Sequence, residues 1–237
     1  DDKGSRKLGS TVTNTLTFTY GTSPDSDLVI DQITLLPLGS SACAIWHGKV
    51  IGKLELSVPG HHNLMNAAAA LAAGIVLDQA PAEMIDGLAT FKGAGRRFEI
   101  KGTINGIRVI DDYGHHPTEI EVTLTAARRF AGEGRLIVVF QPHRYSRTKA
   151  FIDNFATTLD LADEVIVLEI YAASEKPIAG ISSEAIVEKM THGKFIPNFI
   201  DAVDAVVKSA KPGDVVITLG AGDVSSLAPI IVDELAK

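Results

Sequence analysis

The sequence predicts an α/β protein in which a mostly parallel sheet is flanked by helices. From about residue 98 onward, β-like runs alternate with helical patterns, which is typical of βαβ units. The run Arg135–Phe140 is apolar almost throughout, as expected for a strand that is covered on both faces. Strings of polar residues follow two of the predicted strands. In open α/β sheets, ligands bind beyond the carboxyl ends of the strands, so a candidate site is expected at that edge.

The second half of the chain carries clear local signals. Asn105-Gly106 predicts a hairpin between the strands Phe98–Ile104 and Ile107–Ile110, because both turn residues tolerate positive φ. Apolar residues at helical spacing predict a helix over Thr118–Phe130, with Pro117 in its first turn. The further predicted elements are the strands Glu164–Ile170, Phe195-Ile196 and Asp214–Leu219 and the helices Phe151–Leu161, Ser182–Met190, Asp201–Ala210 and Val224–Lys237.

The first ninety or so residues are organised differently. Short runs rich in Thr, Val and Ile predict strands, and two helices follow them. These elements are the strands Leu16–Tyr20, Asp27–Leu36, Ser41–Trp46 and Lys49–Val58 and the helices Leu64–Leu77 and Pro81–Thr90. The glycine-containing stretch Lys92–Gly95 is interpreted as a linker, which divides the chain into residues 1–94 and 95–237.

Length and composition exclude several classes of protein. With 237 residues, 46% of them hydrophobic, the chain can bury a sizeable core and is not expected to be disordered. A formal net charge of −7 argues against non-specific binding to nucleic acid, and no apolar run reaches membrane-spanning length. The single cysteine, Cys43, excludes an internal disulfide and fits a reducing compartment. The opening Asp-Asp-Lys-Gly-Ser-Arg has no signal-peptide character and predicts a chain cut from a longer protein.

The basic string after Arg135–Phe140 is a candidate anion site. His143, Arg144 and Arg147 offer three cationic or cation-capable groups within five positions. Arginine holds a carboxylate or phosphate through two parallel hydrogen bonds. A solvated loop is the alternative, but the position at a strand end and the facing acidic and histidine-rich string favour a site.

The string Asp111–Glu119 offers different chemistry. An aspartate can bind a ribose hydroxyl or a metal-bound water, and a histidine can accept a proton near neutral pH. Zinc is disfavoured, because the spacing is too compressed for a usual site and Cys43 is the sole thiol. His116, which precedes Pro117, is also interpreted as a helix start.

The remaining motifs are weaker. Asn63 is a natural helix cap, although Asn63 and Asn66 would share one helix face and could contact a base or ribose. Gly220-Ala221-Gly222 is interpreted as a tight strand–helix turn and Tyr171–Glu175 as a peripheral part of the cleft. The sequence contains no G-x-x-x-x-G-K-[ST] phosphate-binding loop.

Taken together, these strings resemble the Mur ligases. The matching strings occur in the same order and are Pro59–Ala67, Gly95–Phe98, Asp111–Glu119, Gln141–Thr148 and Tyr171–Glu175. The third and fourth resemble most specifically the members that join L-alanine to UDP-N-acetylmuramate in peptidoglycan synthesis. Murein peptide ligase and folylpolyglutamate synthetase share looser versions.

The resemblance implies a place for this chain in a three-domain enzyme. Residues 1–94 resemble the end of the central ATPase domain, and residues 95–237 resemble the Rossmann-like C-terminal domain. ATP and Mg²⁺ are the implied cofactors and the cytoplasm is the implied location, with the phosphate-binding loop and metal ligands expected upstream of this chain. The chain is therefore expected to be inactive alone. The alternatives are a non-catalytic amino-acid- or nucleotide-binding module and a fragment of murein peptide ligase.

The resemblance also implies residue roles. ATP would contact His62, Asn63, Asn66, Arg97 and Asp112, and L-alanine would contact Tyr113, His115, His143, Arg144 and Arg147. The implied reaction makes an acyl phosphate of the lactyl carboxylate, which the alanine amine attacks to give an amide, ADP and phosphate. His115 and His143 are both candidates to accept the proton of the ammonium group.

Overall fold

The computed structural model describes residues 2–237, and its internal contacts divide the chain into two units. The division falls between Lys92 and Gly93, two residues before the boundary that the sequence predicts. No helix in the described part of the chain is both long and apolar enough to cross a membrane. Each unit has its own sheet and core.

The first unit packs two helices on one face of a four-stranded sheet. Its elements are α1 (Lys3–Thr11), β1 (Tyr20–Gly21), β2 (Leu28–Leu36), β3 (Gly39–Trp46), β4 (Lys49–Leu56), α2 (His61–Val76) and α3 (Pro81–Ala89). The strand order is β1-β2-β3-β4, and only the β1–β2 pair is parallel. Leu28, Ile30 and Leu54 from the sheet pack against Leu64 and Leu71 of α2. Burial of these side chains holds the helices on the sheet.

The second unit is a sheet between two layers of helices, which confirms the predicted fold class. Its elements are β5 (Glu99–Ile104), β6 (Ile107–Asp112), α4 (Pro117–Ala131), β7 (Leu136–Phe140), α5 (Tyr145–Leu159), β8 (Glu164–Val167), α6 (Glu184–Val187), β9 (Gly193–Phe195), α7 (Phe199–Ser209), β10 (Val215–Leu219), a 3₁₀ turn (Asp223–Ser226) and α8 (Leu227–Leu235). The strand order is β5-β6-β10-β7-β8-β9, and only β5 runs antiparallel to its neighbour.

The apolar character of β7 follows from its central position. All five of its residues are buried. Leu136, Val138 and Phe140 pack into the core that contains α4 and α5, whereas Ile137 and Val139 pack into the core that contains α7 and α8. Side chains alternate across a strand, so a strand with helices on both faces has no position for an exposed polar group.

Several predicted elements differ from the structure. The predicted strand Leu16–Tyr20 is wrong except at Tyr20, and α1 is not predicted at all. The predicted helix Ser182–Met190 shrinks to the four residues of α6. Helix α5 begins at Tyr145 rather than at Phe151, where the backbone leaves helical geometry and kinks the helix. Propensity alone identified only the segment after the kink.

Candidate functional site

Two loops leave the second sheet at the same edge. Strand β10 lies between β6 and β7, and its last residue, Leu219, is in register with Asp112 of β6 and with Phe140 of β7. We call residues 113–116 the tyrosine-histidine turn and residues 141–148 the arginine turn. Both turns follow strand ends at the same level, which confirms the predicted convergence. The inserted strand β10 is a finding, because sequence order suggested that β6 and β7 were consecutive.

Asp111 and Asp112 are the last two residues of β6 and do not belong to the loop after it. Both carboxylates are buried. The Asp112 carboxylate accepts hydrogen bonds from the backbone N–H of Phe98 at 2.8 Å, the N–H of Gly114 at 2.8 Å and the hydroxyl of Thr123 at 3.1 Å. Asp112 therefore stabilises the backbone of the tyrosine-histidine turn through a buried hydrogen bond. Its surroundings give no support to the predicted ribose contact.

Asp111 is paired with the first of two adjacent arginines. Its fully buried carboxylate accepts from Arg96 Nε at 3.0 Å and from the Thr218 hydroxyl at 2.7 Å. Arg96 also donates to the carbonyl of Gly220 at 2.5 Å. By contrast, Arg97 is exposed, and its guanidinium lies 5.4 Å from the centroid of the Tyr113 ring. Arg96 is structural, whereas Arg97 remains available to a phosphate.

His115 is held at its Nδ1 edge. Nδ1 lies 3.0 Å from the carbonyl oxygen of Tyr113 and 3.4 Å from Glu119 Oε2. Glu119 also accepts the backbone N–H groups of His115 and His116 at 3.0 and 3.2 Å. Burial tends to raise the pKa of Glu119, but these two N–H groups and the charges of His115 and Arg97 outweigh it, so the pKa lies below its usual value. Glu119 is therefore an anion beside the His115 ring.

His116 has a structural role, in agreement with its interpretation as a helix start. It is the N-cap of α4, and its Nδ1 accepts the N–H of Thr118 at 3.3 Å in a capping box with Glu119. Pro117 occupies the first helical position, as predicted. The His116 ring also contacts Phe151 edge-on, with centroids 4.7 Å apart. This contact joins the start of α4 to the kink of α5.

The arginine turn separates the roles of its two arginines. Arg144 caps α5 with a left-handed φ of 74° and an exposed side chain, and its N–H donates to the Tyr171 carbonyl at 2.8 Å. Arg147 Nη1 lies 3.0 Å from His143 Nδ1 and donates to the His143 carbonyl at 3.1 Å. Arg144 therefore presents a guanidinium at the surface, while Arg147 orients His143.

His143 is kept neutral by its surroundings. Burial, followed by the Arg147 guanidinium, the neighbouring His115 ring and the Arg144 guanidinium, lowers its pKa below the usual value of 6.5, with Glu175 opposing. Its ring stacks on Tyr171, with centroids 5.5 Å apart and an interplanar angle of 14°. A half-buried neutral imidazole at this position can donate or accept a hydrogen bond without adding charge.

Four rings form a row along the edge of the sheet. The centroid distances are 5.3 Å from Tyr113 to His115, 5.7 Å from His115 to His143 and 5.5 Å from His143 to Tyr171. The row spans both turns and the segment after β8. The sequence interpretation left Tyr171 at the periphery, whereas the structure places it against His143. The available signal was its position at a strand end.

The turn Gly220–Gly222 after β10 leaves room for the Tyr171 ring beside it. A Cβ atom on Gly222 would lie 2.7 Å from Tyr171 Cγ and would overlap the side-chain oxygen of Gln141. That oxygen accepts the N–H of Val224 at 3.1 Å, and the amide nitrogen of Gln141 donates to Asp223 at 2.7 Å. The turn is therefore tight because a side chain and a ring pack against its backbone.

The first unit carries the other predicted nucleotide residues. Asn63 is the third residue of α2 and not its cap, because Gly60, with φ 97°, occupies the N-cap position. The Asn63 amide donates to the Pro59 carbonyl at 2.7 Å, and Asn66 is exposed. The His62 ring lies over Gly60, where an added Cβ would approach it to 2.6 Å. The cap prediction is wrong, and the adenine contacts stay predictions.

Residues 2–237 contain no group of three or more His, Cys, Asp or Glu side chains arranged to hold a metal ion. At the C-terminal edge of the sheet, the histidines face a carbonyl, an arginine and each other's rings. These surroundings suit an amino-acid zwitterion: guanidinium groups match a carboxylate, and ring nitrogens match an ammonium group.

Comparison with known families gives a clear match for this chain. The family described as "Mur ligase, glutamate ligase domain" matches residues 96–222, which is more than half of the chain. The chain belongs to the Mur ligase family. Two relatives named UDP-N-acetylmuramate–L-alanine ligase come from Paenarthrobacter aurescens and Mycobacterium marinum. The first is 45% identical, and the match covers 99% of this chain and 51% of the relative. The second is 51% identical, and the match covers 77% of this chain and 38% of the relative.

Solved structures of Mur ligases share the fold. The UDP-N-acetylmuramate–alanine ligase MurC from Thermotoga maritima superposes with a TM-score of 0.77 at 29% identity, over 91% of this chain and 47% of that one. The MurF ligase from the same organism, in complex with ADP, superposes with a TM-score of 0.76 at 22% identity. That match covers 99% of this chain and 52% of the MurF chain. The second likeness concerns the fold alone. This chain spans about half the length of the Mur ligases that it matches.

Proposed function

We propose that this chain forms the amino-acid-accepting half of an ATP-dependent ligase that joins L-alanine to UDP-N-acetylmuramate in peptidoglycan synthesis. The observation that carries the proposal is the meeting of the two turns, with His115 and His143 ring centroids 5.7 Å apart and the exposed Arg144 beside them. Relatives at 42–51% identity that bear the name of this ligase support the choice of L-alanine.

The proposed role of the site is to position the amine and to neutralise charge. Arg144 binds the alanine carboxylate from the surface, and Arg147 adds a donor while it holds His143. Tyr113 and His115 close the other side of the pocket. Holding the amine at contact distance from an activated carbonyl removes much of the entropic barrier, so the protein itself need not form a covalent bond. Fixed guanidinium groups also stabilise the charge that develops during amide formation.

ATP and Mg²⁺ are the cofactors that we assign to the complete ligase. When bound, ATP activates the lactyl carboxylate of the muramic acid as an acyl phosphate. Of the residues predicted to contact ATP, Arg97 and Asn66 have exposed side chains that fit such a contact, each on its own unit. Asp112 does not fit, because its carboxylate is buried and has three internal donors. We place the metal ligands and the remaining triphosphate ligands on a part of the ligase outside this chain.

Calorimetry and turnover test this proposal together. We expect the 237-residue chain to bind L-alanine but to show no alanine-dependent ATP hydrolysis. We expect hydrolysis in a longer protein that carries this chain behind the part its relatives possess. Robust turnover by the 237-residue chain alone would refute the proposal that ATP hydrolysis requires a further part of the ligase. Absence of heat with both L-alanine and ATP would remove the binding role as well.

Two alternatives give different outcomes in the same experiments. A non-catalytic binding module would bind L-alanine or nucleotide but would contribute no activity to the longer protein. A fragment of murein peptide ligase would bind a tripeptide in preference to L-alanine. Competition between the two ligands in one titration therefore separates that alternative from the proposal.

A further inference from the structure

The two histidines of the site both engage Nδ1 inside the protein, but the partners of these two nitrogens require opposite ring tautomers. His115 Nδ1 lies 3.0 Å from the Tyr113 carbonyl oxygen. A carbonyl oxygen only accepts hydrogen bonds, so Nδ1 must carry the hydrogen. In the neutral ring, Nε2 then has a free lone pair. About 20% of the His115 side chain is exposed, which leaves this ring accessible from the pocket.

His143 has the reverse arrangement. Its Nδ1 lies 3.0 Å from Arg147 Nη1, and a guanidinium group only donates hydrogen bonds. Nδ1 is therefore the acceptor, and Nε2 of the neutral ring carries the hydrogen. The second hydrogen bond from Arg147, to the His143 carbonyl, and the stacked Tyr171 ring fix this orientation. His143 can thus donate from Nε2, but its only lone pair is already engaged.

The charges around the rings follow the same division. Burial, the Arg147 guanidinium, the neighbouring His115 ring and the Arg144 guanidinium all lower the pKa of His143, so a second proton is disfavoured there. His115 instead has the Glu119 carboxylate 3.4 Å from Nδ1. An anion on the far side of an imidazole stabilises the imidazolium that forms when Nε2 accepts a proton.

We propose that His115 accepts the proton of the substrate ammonium group through Nε2, with Glu119 as its positioning residue, and that His143 stays neutral and donates from Nε2. This assignment rests on the proposed function of the site. One proton moves from the ammonium nitrogen to Nε2, and the freed lone pair forms the C–N bond at the acyl carbon while the C=O electron pair moves onto oxygen. The carbonyl re-forms as the C–O bond to the phosphate breaks, and inorganic phosphate leaves with that electron pair and with the second proton of the nitrogen.

Tautomer measurement tests the geometry without any substrate. Long-range ¹H–¹⁵N correlation spectra of the ¹⁵N-histidine-labelled 237-residue chain at neutral pH should show His115 protonated at Nδ1 and His143 protonated at Nε2. His115→Gln and His143→Gln assign the two signals. His192→Gln serves as the control, because His192 is exposed and precedes β9 at the opposite edge of the sheet. The reverse pattern at either ring would overturn the proposal.

Kinetics in the longer ligase test the chemistry. We expect His115→Gln to lower kcat by about 100-fold or more, the usual size of a general-base contribution. The deficit should shrink as pH rises, because free amine needs no proton acceptor. A loss through misfolding or poor positioning would not recover in this way. His143→Gln should instead raise the KM for alanine, and its kcat deficit should be the same at every pH. The opposite assignment of these two behaviours would refute the proposal.

Glu119→Gln isolates the positioning residue. Glutamine keeps an oxygen for the N–H groups of His115 and His116 and satisfies the capping box, but it removes the charge. The other groups that face His115 are Tyr113 and the neutral ring of His143, with the Arg147 guanidinium behind that ring. The variant should therefore lower kcat while the KM for alanine and the tautomer stay unchanged. An unchanged kcat would remove Glu119 from the proposal. If alanine fails to bind while the tautomers are as expected, the proposed function fails and the ring geometry stands.

Discussion

Replacement of Arg144 by alanine tests the carboxylate contact directly. The side chain is exposed, and the structure uses this residue mainly through its backbone. Its N–H donates to Tyr171 at 2.8 Å, and its carbonyl accepts from the Thr148 hydroxyl at 2.9 Å. Alanine keeps both hydrogen bonds and meets the same positive φ at about the same cost. The substitution should therefore leave the fold and the free energy of unfolding nearly unchanged.

The expected loss is confined to alanine binding. A hydrogen bond to a charged group contributes roughly 1.5–3 kcal/mol, and each 1.4 kcal/mol corresponds to about a tenfold change in affinity. We therefore expect Arg144→Ala to weaken L-alanine binding at least tenfold in calorimetry and to raise the KM in the longer ligase similarly. Lys149→Ala is the matched control, because Lys149 is an exposed cation on the same helix.

The salt dependence of binding distinguishes a contact from a general field. Screening weakens the attraction between exposed charges that are separated by more than about 8–10 Å. A direct hydrogen-bonded pair should keep most of the difference between wild type and Arg144→Ala when salt is added. Unchanged alanine affinity in Arg144→Ala, or an equal loss in Lys149→Ala, would refute the reasoning.

Three further substitutions test contacts that stabilise the second unit, two beside the site and one, at Asp214, at the opposite edge of the sheet. Arg96→Ala should lower the free energy of unfolding by about 3 kcal/mol, because it leaves the buried Asp111 carboxylate without its cation, whereas Arg97→Ala should leave urea denaturation nearly unchanged. Asp214→Asn should lower the free energy of unfolding by about 1–3 kcal/mol at neutral pH, because it removes the charge that pairs with Arg135. Gly222→Ala should destabilise the fold by about 1–3 kcal/mol through overpacking and should weaken alanine binding, because the new methyl group displaces the ring that stacks on the site.

The pH dependence of the Asp214 effect has a definite sign. Burial tends to raise the pKa of Asp214, but the Arg135 side chain at 2.6 Å and the N–H groups of Lys211 and Arg135 outweigh it and lower the pKa below 3.8. The stabilising effect is present above the unfolded pKa of about 3.9 and is lost as pH falls through the folded value. The difference between wild type and variant should thus be constant near neutrality and shrink only below about pH 3.9.

Matched variants complete these tests. Asp204→Asn removes an exposed carboxylate of α7 and should leave stability unchanged. Gly87→Ala adds a methyl group in open space within α3 and should stabilise rather than destabilise. A Gly222→Ala protein with normal stability and normal alanine affinity would show that the packing at that turn has no role in the site.

Local signals predicted much of the second unit. The Asn105-Gly106 turn has φ of 51° and 79°, as its composition requires. Pro117 occupies the first turn of α4, and β7 is buried on both faces. Each of these features depends on neighbouring residues or on simple periodicity. The common edge of the two turns followed from the rule that parallel strands end together.

Long-range contacts account for what the sequence did not predict. Asp112 was interpreted as a ligand residue, but its donors include Phe98 and Thr123, which the sequence places 14 residues before it and 11 after it. Tyr171 reaches the arginine turn only because β8 pairs with β7. The order of strands around β10 depends on residues more than 70 positions away from β7. No local pattern encodes these pairings.

The ring tautomers are also beyond sequence reasoning. His115 and His143 are equivalent as candidates in the sequence, since each lies in a polar string after a strand. The distinction arises from the partner nearest to each Nδ1, a carbonyl in one case and a guanidinium in the other. A sequence can indicate that a site contains histidines, but only the partners seen in coordinates indicate which nitrogen carries the hydrogen.

The central claim is that both turns bind the same molecule of L-alanine. Isotope-filtered NOE spectroscopy of the 237-residue chain, with ¹³C-labelled L-alanine in large excess, tests it most directly. The account predicts that the alanine protons show NOEs to ring protons of Tyr113 or His115 and also to those of His143. NOEs to one turn alone, or to neither while alanine is bound, would contradict it.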